Sequence, residues 1–531
     1  MKTLNAKDFK GMLASGAANL ENNEKEINTL NVFPVPDGDT GTNMSMTFNN
    51  GAKEADGVVS ENVGDVAKAL SKGLLMGARG NSGVILSQIF RGFAKSTAGK
   101  EELSAKEISD GFMEGVRVAY KAIMKPVEGT ILTVIREAAW YAEHDFVDNA
   151  KIDAEQYLRN LLEYAKESLV HTPELLPTLK EAGVVDSGGA GLVKILEGFI
   201  AYLNGIPIVK KSGATVSIKD ENGEEDKGYK VEFTLRLNPQ YIKNFDQSII
   251  KTRLNEAGEN LVVIGKDDVL DICISTLKPG DVLNVAQRYG EFVKLKIENP
   301  SLAKEFKKTK EQKNYGIITV AAGEGLTKLF YELGVDVVVS GGQTMNPSTQ
   351  DFLKKIDELD NCKTIFIFPN NSNIVLAANQ ARDLSKADVV VIPSKSIQAG
   401  LSAIMLFNPD GKKEDIEAEL NEVVSNVKVA QITYAVKDTS FEGVEVKQGD
   451  YISLVDKTIL HSSTDLKDVL IKTCDRLMEN KDKELMTIVT GEGADEKLTK
   501  EITDYIENNS EIEVQLFEGN QPVYSYLFGL E

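Results

Sequence analysis

Asn31-Val32-Phe33-Pro34-Val35-Pro36-Asp37-Gly38-Asp39-Thr40-Gly41-Thr42-Asn43-Met44 sets two carboxylates two residues apart, across one glycine, in a proline-stiffened loop. Two hard anionic ligands at that spacing suit Mg²⁺, which takes a few carboxylates and keeps room for phosphate oxygens. Thr40-Gly41-Thr42-Asn43 then reads as a helix start, with small residues and backbone N–H groups able to approach an anion. Taken alone, Asp-Gly-Asp-Thr-Gly suits a solvated turn equally well. The chain carries no Walker A sequence, so metal plus phosphate would mean a nucleotide-using enzyme of another kind.

Two further glycine-rich turns lie downstream. Gly77-Ala78-Arg79-Gly80-Asn81-Ser82-Gly83 precedes the apolar Val84-Ile85-Leu86, and Asp186-Ser187-Gly188-Gly189-Ala190-Gly191 precedes Leu192-Val193-Lys194-Ile195-Leu196. A glycine-rich helix N-terminus offers unpaired N–H groups and the positive end of the helix dipole, a phosphate cradle in outline. Ser82 adds a hydroxyl donor and Arg79 a charge-assisted bond. The same glycines also suit close helix packing or C-caps. Three such loops in one helical region, one bearing paired carboxylates, favour the phosphate reading. Asp37 and Asp39 would then hold Mg²⁺, the loops would cradle a nucleotide, and Arg79 would face the transferred group. No side-chain nucleophile is marked, which fits direct transfer from ATP to an acceptor.

Outward from these loops, residues 1–205 read as an all-α domain of eight or nine helices. Phe9, Met12 and Leu13, then Val63, Val66, Leu70 and Leu74, recur at helical spacing. Ser104-Ala105-Lys106-Glu107 is a capping box, and Thr172-Pro173 reads as an N-cap with Pro at the first helical position. The polar stretch 210–227 reads as a linker or exposed loop. Alternating β-branched runs around 231–235 and 261–264, with helices near 239–256 and 280–290, predict a small α+β domain over 206–312. A lysine-rich segment, 304–313, leads into an α/β region over 313–531. There, apolar runs at 317–321, 335–340, 364–368 and 389–392 each precede a helical pattern, the rhythm of a largely parallel sheet. The loops beginning at Ser340, Pro369 and Pro393 follow such strands, where α/β folds bind ligands. The aromatic end, Gln521-Pro522-Val523-Tyr524-Ser525-Tyr526-Leu527-Phe528, reads as an edge strand.

At 531 residues the chain is too long for one core, and 42% hydrophobic with 27% charged residues is a globular composition. A formal net charge of −21 argues against nucleic acid or anionic membrane as the main partner. No apolar run is long enough to span a bilayer, and the N-terminus lacks a signal-peptide core, so a cytoplasmic location is expected. Cys273, Cys362 and Cys474 are widely spaced, as are His144, His171 and His461, which argues against a disulfide framework, a zinc ribbon or a catalytic triad.

The Asn31 to Met44 run, Gly77-Ala78-Arg79-Gly80-Asn81-Ser82-Gly83-Val84-Ile85-Leu86-Ser87-Gln88 and Gly183-Val184-Val185-Asp186-Ser187-Gly188-Gly189 resemble bacterial fatty acid kinase A. That family's N-terminal domain is similar to the ATP-binding component of dihydroxyacetone kinase, the DhaL fold. Ser340-Gly341-Gly342-Gln343-Thr344-Met345-Asn346-Pro347-Ser348 and Gln521-Pro522-Val523-Tyr524-Ser525-Tyr526 also match, so the resemblance covers nearly the whole chain. It implies a helical barrel binding ATP with two Mg²⁺ ions at one mouth. It also implies a DegV-type fatty-acid-binding protein that presents the substrate carboxylate, an acyl phosphate product, and a homodimer formed through the middle domain. The C-terminal domain would receive the carrier. A carboxylate is already ionised at pH 7, so such an acceptor needs no general base.

By resemblance Asp37 and Asp39 are metal ligands; together with Arg79, read from its glycine-rich loop, they are the candidate catalytic residues. Asn31 is the third candidate at the metal, as the nearest counterpart of an earlier Asp in the dihydroxyacetone kinase pattern, one residue out of step. Thr40, Gly41, Thr42, Asn43, Gly80, Asn81, Ser82, Gly83, Asp186, Gly188 and Gly189 fall in the nucleotide loops. Many relatives carry a Cys in a Tyr-Cys-Thr-Glu-Phe run and a later His-x-His pair. Here the runs are Tyr229-Lys230-Val231-Glu232-Phe233 and Ile272-Cys273-Ile274-Ser275-Thr276, and one Cys cannot make an ordinary zinc site. No zinc is expected in the middle domain. Two other readings stand beside this one: a kinase for a free small molecule with a hydroxyl group, and a scaffold whose nucleotide site regulates assembly.

Overall fold

Apolar periodicity over the first two hundred residues becomes, among the described residues, ten helices: α1 (Ala6–Asn22), α2 (Glu24–Leu30), α3 (Thr40–Asp56), α4 (Val63–Gly77), α5 (Gly80–Ser96), α6 (Ala105–Ala122), α7 (Ile131–Asp148), α8 (Ala154–Leu175), α9 (Pro177–Ala182) and α10 (Ser187–Leu203). The computed structural model describes residues 2–31, 38–123, 125–149, 151–211, 228–242, 247–266, 268–299, 311–342, 346–435, 438–441, 443–456, 458–480 and 482–531. Asp37, the linker reading over 212–227, most of the lysine-rich segment and Gln343-Thr344-Met345 lie outside the described residues. Two units are distinguished: Met1–Lys211 with Gln312–Glu531, and Ser212–Glu311.

In the helical part the expected core positions Phe9, Met12, Leu13, Val63, Val66, Leu70 and Leu74 are all buried in one cluster. Ser104 and Glu107 close the expected capping box at the start of α6. Thr172-Pro173 does not start a helix, because α8 runs through it to Leu175. Pro173 has no N–H for the Leu169 carbonyl, and the Thr172 hydroxyl donates to that carbonyl instead at 2.7 Å. The proline at a first helical position is Pro177, which opens α9. α1 crosses α10 closely enough that the Ser15 hydroxyl donates to the Gly198 carbonyl at 2.6 Å.

The second unit contains β1 (Tyr229–Leu237), α11 (Pro239–Ile242), α12 (Gln247–Asn255), β2 (Glu259–Lys266), β3 (Val269–Thr276), α13 (Pro279–Ala286) and β4 (Gly290–Glu298). Its strands pair antiparallel in the order β2-β3-β1-β4. Alternate residues of β1 are buried, so Val231, Phe233 and Leu235 form the core while Lys230 and Glu232 share the other face. Lys230 stands opposite Ser275 and Glu232 opposite Cys273, and Lys230 pairs with Glu232 at 2.8 Å.

The C-terminal region opens with β5 (Lys313–Ala321), α14 (Glu324–Glu332), β6 (Val337–Ser340), α15 (Thr349–Glu358), β7 (Cys362–Phe368), α16 (Val375–Leu384), β8 (Asp388–Val391) and α17 (Ile397–Met405). β5 to β8 make the parallel sheet expected from their spacing, in the order β6-β5-β7-β8. There follow α18 (Lys413–Asn426), β9 (Lys428–Tyr434), β10 (Thr439–Phe441), β11 (Val444–Val446), β12 (Tyr451–Val455), β13 (Thr458–Ser463), α19 (Leu466–Met478), β14 (Leu485–Thr490), α20 (Glu496–Asn509), β15 (Glu513–Glu518) and β16 (Tyr526–Leu530). A second, six-stranded sheet has the order β13-β12-β9-β16-β14-β15, with only β14 and β15 parallel.

β16 is not the edge strand its aromatic sequence suggested. It pairs with β9 on one side and β14 on the other, and all five of its residues are buried. A continuous apolar run suits a strand covered on both faces.

The helical part and the C-terminal region of this unit share a core. Ala78 and Val84, flanking the start of α5, pack in one cluster with Val320, Phe352, Ile367 and Ala377 around the parallel sheet. That shared cluster sets the loops after β6 and β7 against the glycine motifs.

Gly198 tests the α1–α10 crossing. A Cβ there would lie 2.5 Å from the Gly16 Cα and 2.6 Å from the Ser15 carbonyl oxygen, both backbone atoms. Gly198→Ala is expected to cost about 1–3 kcal/mol, read as a lower urea midpoint at unchanged slope. An unchanged midpoint would mean that the two helices separate without cost.

Candidate functional site

The starts of α3, α5 and α10 lie side by side, and each is finished differently. α3 begins directly after Asp39, but the Asp39 side chain does not cap it. Asn28 in α2, thirteen residues before Gly41, does so instead: its Oδ1 accepts from Gly41 N at 2.7 Å and Thr42 N at 3.2 Å. Its Nδ2 donates to the Thr42 hydroxyl at 3.0 Å, and that hydroxyl donates to Glu24 at 2.8 Å. Asn31 donates to the Thr40 hydroxyl at 3.1 Å. The Gly41 and Thr42 N–H groups, which the sequence offered to an anion, are therefore already satisfied. Gly41 is needed for packing, since a Cβ would stand 2.3 Å from the Glu24 carbonyl oxygen.

α5 has no side-chain cap, so the N–H groups of its first turn stay available. Gly80 opens it at φ +59°, a left-handed conformation, where a Cβ would meet the Asn43 amide at 2.6 Å. α10 is capped from within, as Asp186 Oδ2 accepts from Gly189 N at 2.7 Å. Burial pushes the Asp186 carboxyl up to about 6, against the lowering effect of N–H groups from Gly189, Ile131 and Gly188. A Cβ on Gly188 would sit 3.2 Å from Ser82 Oγ, which joins the starts of α5 and α10. Of the residues expected around a phosphate, Asn43, Gly80, Ser82, Gly83, Asp186, Gly188 and Gly189 come together. Asn81 turns to the C-terminal region and donates to Asn373 at 3.2 Å.

Asp39 is the buried carboxylate of this cluster, 6% exposed. Burial raises it to about 6, against hydrogen bonds from Asn43 and Asn346 that favour its charge. Asn346 comes from the loop before α15 and donates to Asp39 Oδ2 at 2.5 Å. It also lies 3.4 Å from Asn43 Oδ1. Arg79, expected to face the transferred group, reaches the same loop. Its Nη1 donates to the Asn346 carbonyl at 2.6 Å, and its Nη2 pairs with Asp351 at 3.3 Å. Asp351 completes a capping box with Ser348 at the start of α15, so the guanidinium binds a rigid corner. Nearby, Thr349 N donates to the Ala78 carbonyl at 3.2 Å, and Gln380 bridges Gln88 and the Leu75 carbonyl at 3.0 and 2.7 Å.

Around the Asp39 carboxylate stand two amides, Asn43 and Asn346, which turn N–H groups to it and carry the oxygens a cation could take in their place. Oxygen donors suit Mg²⁺ rather than a softer metal. Asn346 Oδ1 is buried with no hydrogen-bond partner, as an unfilled ligand position would be. Among the described residues no three His, Cys, Asp or Glu side chains gather. Asn28, Asn346, Asp351 and Gln380 were not singled out from the sequence. Only Asn346 carried a signal, lying in a loop that follows a parallel strand.

The chain matches the C-terminal domain of the fatty acid kinase A-like (FakA-like) family over residues 316–531. It matches the middle domain of the same family over 226–306 and the DAK2 domain over 34–201. Protein YloV of Bacillus subtilis (strain 168) is 41% identical, covering 100% of this chain and 100% of its own. Uncharacterized protein SERP0792 of Staphylococcus epidermidis is 41% identical, covering 99% of each. Among solved structures, a fatty-acid-binding DegV family protein of Thermus thermophilus has TM-score 0.33 at 13% identity, covering 41% of this chain and 99% of that one. The dihydroxyacetone kinase of C. freundii has TM-score 0.31 at 11% identity, covering 54% and 56%.

Asp39 also sets a pH dependence. Its folded value near 6 lies above the ordinary 3.8, so its stabilising effect is complete below 3.8 and lost as pH rises through 6. With Mg²⁺ chelated, melting temperature should fall from pH 5 to 8 more steeply in the unmodified chain than in Asp39→Asn. The difference over that window corresponds to about 1.4 kcal/mol, the remainder of the shift acting below pH 5. Identical pH profiles would contradict a desolvated carboxylate at this position.

Proposed function

The chain belongs to the fatty acid kinase A-like family, and from that premise we propose that it is an ATP-dependent kinase acting on a carboxylate. The acceptor is a fatty acid presented by a DegV-type fatty-acid-binding protein, and the products are acyl phosphate and ADP. One observation carries this reading: a buried carboxylate, Asp39, stands beside the uncapped start of α5 among the amides of Asn43 and Asn346.

Each residue's task follows from its position. Asp39 and, by sequence, Asp37 would hold Mg²⁺, while Asn31 hydrogen-bonds Thr40, the residue after Asp39. Bound Mg²⁺ neutralises phosphate charge in the transition state. The first-turn N–H groups of α5, from Gly80 to Gly83, which no side chain caps, and the Ser82 hydroxyl would take the phosphate oxygens. Gly188 keeps the start of α10 close to Ser82 without a side chain between them. At pH 7 Asp39 is mostly ionised, its value lying near 6, so it meets a cation without first losing a proton. The fatty acid carboxylate attacks as the anion it already is, and no protein base is required. Arg79 acts as a positioning residue, holding the loop that carries Asn346.

In this proposal residues 1–205 are the kinase domain, 206–312 form a homodimer contact without zinc, and 313–531 receive the carrier. The protein works in the cytoplasm.

ATP consumption by the purified chain with Mg²⁺ and oleate, with and without a DegV-type carrier, tests the reading. Turnover is expected only when carrier and fatty acid are both present. Turnover without carrier would favour a free-substrate kinase, and bound ATP with no turnover would favour a scaffold. Replacing Asp37 and Asp39 together by Asn should abolish turnover and leave carrier binding intact.

A further inference from the structure

We propose that Asn346 supplies a side-chain oxygen to the cation held by Asp39, so that the metal site of the helical domain is completed by the C-terminal region. The inference rests on the kinase reading and goes beyond it, because it places one ligand 307 residues away from Asp39.

Three observations converge. Asn346 is 2% exposed, and its Oδ1 has no hydrogen-bond partner. Leaving a buried amide oxygen unpaired forfeits its hydration without return, so such an atom calls for a missing partner. The other edge of the same amide is fully used, donating to Asp39 Oδ2 at 2.5 Å and lying 3.4 Å from Asn43 Oδ1. An amide that turns its N–H₂ toward a carboxylate in the absence of a cation can present its oxygen when one is bound, by a half-turn about its last bond. The side chain also starts from a fixed base. Arg79 holds the Asn346 carbonyl at 2.6 Å and Asp351 at 3.3 Å, and Thr349 N is tied to the Ala78 carbonyl. A ligand whose main chain is already immobilised loses little freedom on binding.

A segment that merely covered the site would make a different pattern. It would satisfy its own polar atoms against the groups it covers, whereas Asn346 spends its N–H₂ edge on Asp39 and keeps its acceptor unspent. Once the amide is turned over, that acceptor and the acid suit a cation, since carboxylate and carbonyl oxygens both bind one while neither can donate to the other.

The test uses Mn²⁺ as probe, with bound ion read by electron paramagnetic resonance on the full chain, with and without ADP. Asn346→Ala should weaken Mn²⁺ binding by about tenfold or more. Asn346→Asp, which keeps an oxygen donor but would repel Asp39 in the absence of metal, should bind Mn²⁺ at least as tightly as the unmodified chain. It should also show a larger metal-induced rise in melting temperature. A purely structural role for the amide would not be rescued by that charge. Undiminished binding in Asn346→Ala, or weakened binding in Asn346→Asp, overturns the proposal and makes the loop a cover over the site. Asp39→Asn separates the two levels. If it abolishes binding while Asn346→Ala does not, only this inference fails. If it leaves binding intact, or the unmodified chain binds no Mn²⁺, the Asp39 reading fails with it.

Discussion

Taking the Asp39 carboxylate out of water is the constraint around which the site is organised. An isolated buried charge is costly, and here it is offset by amide donors from two directions, Asn43 one turn into α3 and Asn346 from beyond β6. Those bonds do not restore an ordinary carboxyl, which stays raised to about 6. A carboxylate held at that expense binds a cation more readily than one already satisfied by solvent. The glycines around it follow from the same geometry: Gly80 must turn left-handed because α5 starts against Asn43.

The second dependence is the docking of the C-terminal region onto the helical part within one unit. Apolar contact supplies the area, through Ala78 and Val84 against the parallel sheet. Specificity comes from polar contacts that only one register satisfies: Arg79 with Asn346 and Asp351, Asn81 with Asn373, Gln88 with Gln380. Arg79 shows how the assembly reassigns a residue. From its glycine-rich surroundings it looks like a phosphate ligand, yet its guanidinium holds a neighbouring loop.

Much of the architecture was readable in one dimension because it rests on local rules. Helical periodicity marked α1 and α4, a capping box marked α6, and β-branched runs marked β5 to β8. One misreading came from a side chain serving its own helix and the other from pairing between distant strands. Thr172-Pro173 carries the signature of a helix start, but the Thr172 hydroxyl serves the carbonyl that proline leaves open and the helix continues. β16 looks like an edge from its aromatic content, and only pairing on both sides reveals it as interior.

What the sequence alone determined was the chemistry on offer: paired carboxylates, three glycine-rich helix starts, an all-α part followed by strands, and the residues by which the family is recognised. Spacing along the chain fixes such features, since helix and strand periods act over a few residues. What the tertiary structure alone decided was which donors are spent and which remain. Asn28 satisfies the N–H groups of α3, α5 keeps its own, and Asn346 reaches Asp39 across 307 residues. Hydrogen-bond satisfaction depends on distance in space, and no local pattern encodes a partner that only a packed core brings within about 3 Å.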